Sequence, residues 1–183
     1  NEEKERNMKI GIERKVFDEN IYKRILVSRP VVPLGRDIGY LPGTKEEKLF
    51  PWMQPIYDNL EYLCDSHGNE PSETLKWVME SKKLEMEAVT YIRGRSLPNS
   101  YIIVDEAQNL TPHEVKTIVS RAGEGTKVVL TGDPSQIDNP YLDKESNGLT
   151  YTIWKFQDHK LYGHVFLEKT ERSELAALAA QIL

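Results

Sequence analysis

Asp105 and Glu106 stand side by side at the end of the apolar run Tyr101–Val104. Two adjacent carboxylates at the close of a buried strand suit a division of labour. One holds the shell of a divalent cation and the other polarises an attacking water, the two tasks that phosphoryl transfer to water requires. Position gives the pair its weight, because ligands of open α/β sheets bind outside the carboxyl ends of the strands. Taken alone, two acids that close a strand are equally well explained as a solvated end. A second run, Val128–Leu130 followed by Thr131, Gly132, Asp133, Pro134, Ser135 and Gln136, repeats the design. Gly132 permits a tight turn close to a ligand, and Gln136 offers an amide to a γ-phosphate or to the lytic water. An ordinary Gly-Asp-Pro turn is the alternative. The third element is Lys169–Ser173, where the fork of Arg172 could reach phosphate oxygens. A surface arginine explains Arg172 as well, although a helix start disfavours a cation and so favours a role towards a ligand.

Elements that present such residues must alternate, and the chain has that order. Short runs rich in β-branched and aromatic residues predict strands over Arg24–Ser28, Leu84–Thr90, Tyr101–Asp105, Lys127–Thr131 and His164–Leu167. Their near-continuous apolar character fits a sheet covered on both faces. Thr111, Pro112 and Glu114 form a capping-box start for a helix expected to reach Ala122 and stop at Gly123. Further helices are expected over Met8–Glu19, Pro55–Cys64, Ser72–Ser81, Gly148–Phe156 and from Ser173 onward. The pattern predicts an α/β domain with a mainly parallel sheet. Residues 29–54, with Pro30, Pro33, Pro42, Pro51 and three glycines, form the longest irregular stretch, and loops of that length inside a compact domain are often functional.

Composition narrows the class. A chain of 183 residues suits a single domain over 1–183, and 39% hydrophobic with 29% charged residues is ordinary for a globular protein. No apolar run is long enough to cross a bilayer, so no membrane role is expected. The net charge of -5 argues against a generally basic nucleic-acid binder while leaving room for a local basic strip. The lone Cys64 cannot form an internal disulfide, which fits a reducing cytoplasm. Cys64 and His67 make one Cys-x-x-His pair without a second, so zinc is not expected, and no Ser-His-Asp arrangement is apparent.

Five segments in order resemble the PhoH-like ATPases, a P-loop family related to superfamily-one helicases. They are Arg29-Pro30, Gly39–Gly43, Tyr91–Arg95, Asp105–Asn109, and Gly132-Asp133 with Gln136–Asp138. The resemblance runs from about Ile21 onward and implies a RecA-like three-layer fold that binds ATP and Mg²⁺. It implies that Asp105 holds the metal through water, Glu106 acts as base, Gln136 senses the γ-phosphate, and Gly132 and Asp133 line the nucleotide. Arg172 lies in a segment similar to the helicase motif whose arginine contacts the γ-phosphate. Arg29 and the loop after it fall where related helicases face single-stranded nucleic acid, so Arg29, Arg36, Lys45 and Lys48 are candidate phosphate contacts, with RNA the expected strand. Tyr40, Phe50 and Trp52 are stacking candidates there, or pack on their own domain. Arg93 and Arg95 face phosphate, RNA or a neighbouring subunit, or are plain surface residues. By the same resemblance, coupling to RNA needs a homo-oligomeric ring.

One half of a nucleotide site is not in the sequence. No Gly-rich loop ends in Gly-Lys-Ser/Thr, the element whose N–H groups and lysine hold the β- and γ-phosphates. The family pattern places it just before the helix at Met8, where Asn1–Asn7 has no glycine and the wrong sign of charge. Truncation, a degenerate site, and residues missing between Asn7 and Met8 are the three explanations. A degenerate ATPase fold serving as a non-catalytic nucleic-acid or protein interaction module is the alternative function.

Overall fold

The computed structural model describes residues 21–30, 51, 53–59, 61, 80–167 and 178. Four strands, β1 (Arg24–Arg29), β2 (Leu84–Ala88), β3 (Ser100–Val104) and β4 (Lys127–Leu130), form one sheet in the order β2-β1-β3-β4. Every pairing is parallel, with Leu26 opposite both Glu85 and Ile102, and Val104 opposite Leu130. Among the described residues the helices include α1 (Val89–Ile92), α2 (Pro112–Val119) and α3 (Gly148–Phe156), and residues 53–59 are helical as well. This is an α/β fold of the P-loop type, with a parallel sheet and flanking helices. The chain divides into two compact units, residues 1–152 and 153–183.

Alternation along the strands sorts the core into two faces. Ile25, Val27, Leu84 and Tyr101 form one buried cluster, against which Tyr22, Ile56, Met86, Ile103 and Val129 pack. Tyr22 meets Tyr101 edge to face, with ring centroids 5.2 Å apart. The alternate residues Leu26, Ile102 and Val104 are fully buried on the other side of the pleat. Burial on both faces is why β1 and β3 read as near-continuous apolar runs.

Helix α2 begins as its sequence dictates. The Thr111 hydroxyl accepts from the Glu114 N–H at 3.2 Å, and the Thr111 N–H donates back to Glu114 Oε2 at 2.8 Å. It ends at Val119, short of the expected Ala122, because the chain beyond Ser120 is drawn into a bridge. Leu97 N–H donates to Arg121 O and Gly123 N–H donates to Leu97 O. Helix α3 spans the expected residues. Buried Asn147 caps it by accepting the Thr150 N–H at 2.9 Å, and Gly148 brings its start against α2, where a Cβ would lie 2.5 Å from Val115 Cγ2.

Two strand expectations are corrected. Strand β2 stops at Ala88, and Val89–Ile92 turns into a helix. A strand persists only while a neighbour pairs with it, and β1 stops at Arg29, opposite Ala88, with Pro30 next and no N–H to offer. Residues 164–167 form no strand, and Val165, Phe166 and Leu167 are 80%, 78% and 76% exposed. Their propensity says only that they would fit a pleated surface. The helix expected over Pro55–Cys64 starts earlier, with residue 51 already helical and Met53 buried. The helix expected at Met8–Glu19 and most of those at Ser72–Ser81 and beyond Ser173 lie outside the described residues.

Candidate nucleotide site at the carboxyl ends of the strands

Asp105 and Glu106 lie where β3 ends, and the backbone there decides what they can do. Had the strand continued, the two side chains would point to opposite faces. Instead Glu106 takes the left-handed conformation, φ 54° and ψ 37°, which is uncommon for a residue with a Cβ. Local bonds hold the kink: Ala107 N–H donates to Thr131 O at 2.9 Å, and Asn109 N–H donates to Glu106 O at 3.0 Å. A short 3₁₀ turn, Ala107–Asn109, follows. Both carboxylates thereby reach the same guanidinium. Arg29 Nη2 donates to Glu106 Oε1 at 3.0 Å, and Arg29 Nε lies 3.8 Å from Asp105 Oδ2.

The other oxygen of Asp105 is held from β4, whose following residue Thr131 donates its hydroxyl to Oδ1 at 2.9 Å. Among the described residues no three metal-ligating side chains cluster. Magnesium does not need such a cage, since it keeps several waters and takes one or two carboxylates together with substrate phosphates. The donors present, the Asp105 carboxylate with the Thr131 hydroxyl beside it, fit that ion.

Gln108 joins the two halves of the site. It is fully buried, and its carboxamide is satisfied on both ends. Nε2 donates to Glu106 Oε2 and to Gln136 O, the latter at 2.9 Å, while Oε1 accepts the Asp133 N–H at 3.2 Å. Gly132 makes room for it, because a Cβ there would stand 2.2 Å from Gln108 Oε1. Asp133 organises its own turn by accepting the Ser135 N–H at 2.9 Å, the Ser135 hydroxyl at 2.7 Å and the Gln136 amide. Asn109 extends the bracing, since its Oδ1 accepts the N–H groups of Asp138 and Asn139 at 2.7 and 3.2 Å. Beside this bracing, towards β1 and β2, a cavity of about 350 Å³ opens between Pro30, Val89, Thr90, Leu110 and Tyr141.

Asp105, Glu106, Asp133 and Gln136 are therefore brought into one cluster of hydrogen bonds and ion pairs, with Gly132 set against Gln108, and Arg29 belongs to it. Arg95 lies elsewhere, donating to Glu85 Oε2 at 2.8 Å beside Arg24, which donates to Glu85 Oε1 at 2.7 Å. Arg93 is exposed after α1. Arg36, Lys45, Lys48, Tyr40, Phe50, Trp52 and Arg172 lie outside the described residues. Sequence reasoning gave no role to Gln108, Thr131 or Asn109. The available signal was a run of amides, Gln108 and Asn109, directly after two acids, a place where a strand end would ordinarily be loop.

A parallel sheet whose carboxyl ends gather an acid pair and a glycine turn defines the P-loop-like α/β class. Within it the chain belongs to the PhoH-like protein family, whose model matches residues 8–183. It is 57% identical over 166 residues to Protein PhoH2 of Bacillus subtilis, a match covering 91% of this chain and 37% of that protein. Protein PhoH2 of Mycolicibacterium smegmatis is 40% identical over 169 residues, covering 92% and 37%. The PhoH-like protein of Synechocystis is 40% identical over 133 residues, covering 72% and 38%. The chain thus spans a little over a third of the length of these curated relatives, and the family match leaves out Asn1–Asn7.

Proposed function

We propose that this chain carries the hydrolytic half of an Mg²⁺-dependent ATPase coupled to the handling of single-stranded RNA. The observation that carries the reading is the convergence of Asp105 and Glu106 on one side of the β3 end, braced to the Gln136 turn by Gln108. Mg²⁺ bound through water at Asp105 would neutralise charge on the phosphates. Glu106 takes the proton from the attacking water on a carboxylate oxygen, and Thr131 keeps Asp105 oriented. Gln136 presents its amide to the γ-phosphate or the water, and the Gly132-Asp133 turn lets backbone approach the nucleotide. Arg172 stabilises charge on the transferred group. Arg36, Arg93 and Arg95 are the candidate RNA contacts, and a homo-oligomeric ring supplies the second surface that a single motor domain lacks.

A non-catalytic nucleic-acid or protein interaction module is the second reading. Titrating ATP with Mg²⁺ against the unaltered protein, Asp105→Asn and Glu106→Gln separates the two. The ATPase reading expects Mg²⁺-dependent binding that Asp105→Asn weakens. It also expects Glu106→Gln to bind with hydrolysis lowered about 100-fold or more, the scale of a lost general base. No nucleotide binding by any of the three in the full gene product favours the module.

A further inference from the structure

Glu106 is gripped from two sides. Arg29 Nη2 donates to Oε1 at 3.0 Å, and Gln108 Nε2 donates to Oε2. The same guanidinium stands 3.8 Å from Asp105 Oδ2. We propose that Arg29 is a positioning residue of the hydrolytic site, which with Gln108 sets the orientation of the Glu106 carboxylate and offsets the repulsion between Asp105 and Glu106. The proposal rests on Glu106 being the base, and it gives Arg29 a role other than contact with a strand of RNA.

Three features support it. The first is the kink at Glu106, which turns two side chains bound for opposite faces towards one cation. The planar fork faces two carboxylates with a fixed geometry, which the rotatable ammonium of a lysine does not impose. The second is the mounting of Arg29. It ends β1, a strand paired on both sides, and the adjacent Ser28 O accepts the Asp105 N–H at 2.9 Å, so guanidinium and acids ride on one hydrogen-bonded frame. Groups set on strands hold their geometry better than groups on loops. The third is partial burial. The Arg29 side chain is 21% exposed and the acids 37% and 33%, so solvent screens these charges less than it would on an open surface.

The test is steady-state ATP hydrolysis by the full gene product at saturating Mg²⁺, with Arg29→Ala and Arg29→Lys each made alone and in a Glu106→Gln background. Arg29→Ala is expected to lower kcat roughly 10- to 100-fold, the usual cost of losing an orienting partner. KM for ATP should stay within about twofold, since binding of the ground state is untouched. Arg29→Lys should recover part of the loss. In the Glu106→Gln background Arg29→Ala should change kcat by less than about twofold, because the group it orients is already gone. Affinity for single-stranded RNA measured without nucleotide should not change. An unaltered kcat in Arg29→Ala overturns the proposal. So do equal losses in both backgrounds, the mark of a structural role, and so does a loss of RNA affinity with kcat retained. If Arg29→Ala does not fold, Arg29→Lys decides, a lowered kcat supporting the proposal and a full kcat overturning it. Absence of hydrolysis by the unaltered protein overturns instead the ATPase reading beneath it.

Discussion

Two arginine–carboxylate clusters lie at opposite ends of the same sheet. At the carboxyl ends Arg29 meets Asp105 and Glu106, and at the amino ends Arg24 and Arg95 meet Glu85, with Glu87 3.8 Å from Arg95. The charge chemistry is the same, and the surroundings differ. The carboxyl-end cluster is tied into a kinked backbone, a buried amide and a glycine turn, so every group in it has a defined orientation. The amino-end cluster is a set of ion pairs, buried to a similar degree, that joins Glu85 of β2 to Arg24 of β1 and to Arg95 beyond α1. Only the carboxyl ends of a parallel sheet open on the crevice where ligands bind. On the function proposed above, chemistry follows the end of the strand, not the count of charges.

The sharpest way to break this contrast is Gln108→Ala. It strands the Asp133 N–H and the Gln136 carbonyl and removes one grip on Glu106, so it should cost about 2–4 kcal/mol in urea unfolding and lower hydrolysis as well. A cost below about 1 kcal/mol would show that the bracing is incidental. Gly132→Ala comes next. Its methyl would fall on the Gln108 carbonyl oxygen, and the overpacking should cost about 1–3 kcal/mol, with the site displaced. Glu85→Gln is the smallest and tests the other cluster. Burial pushes the Glu85 carboxyl up, but hydrogen bonds and charge from Arg95 and Arg24 outweigh it and hold it below the usual range. A depressed carboxyl stabilises the fold at neutral pH and loses that contribution as pH falls through its folded value. Glu85→Gln should thus cost less than about 1 kcal/mol at neutral pH, with the difference fading in acid and no effect on nucleotide binding. A loss of nucleotide binding would erase the distinction between the two ends.

Much of the architecture was legible in the sequence because local signals agreed with the fold. Strands β1, β3 and β4 lie where short apolar runs predicted them, and the capping box of Thr111 and Glu114 started α2 where expected. The two strand misreadings share one cause. Residues 89–90 and 164–167 have strand propensity, yet a strand needs a neighbour, and propensity carries no information about where the neighbour stops. The acid pair, Gly132 and Gln136 were found as separate motifs, while the amide joining them was overlooked, since Gln108 looks like any polar residue after a strand.

By itself the sequence determined the alternation of elements, the acids at the end of a buried run and membership of the PhoH-like family, all of which depend on residue type and spacing along the chain. Tertiary structure alone decided that Arg29 faces the acids while Arg95 faces Glu85, that Gln108 bridges two turns, and that Glu106 shares a face with Asp105. Each of these is a contact across 10 or more residues or a single backbone kink. Neither leaves a period in the sequence, because both arise from which strands pair and where their ladder ends.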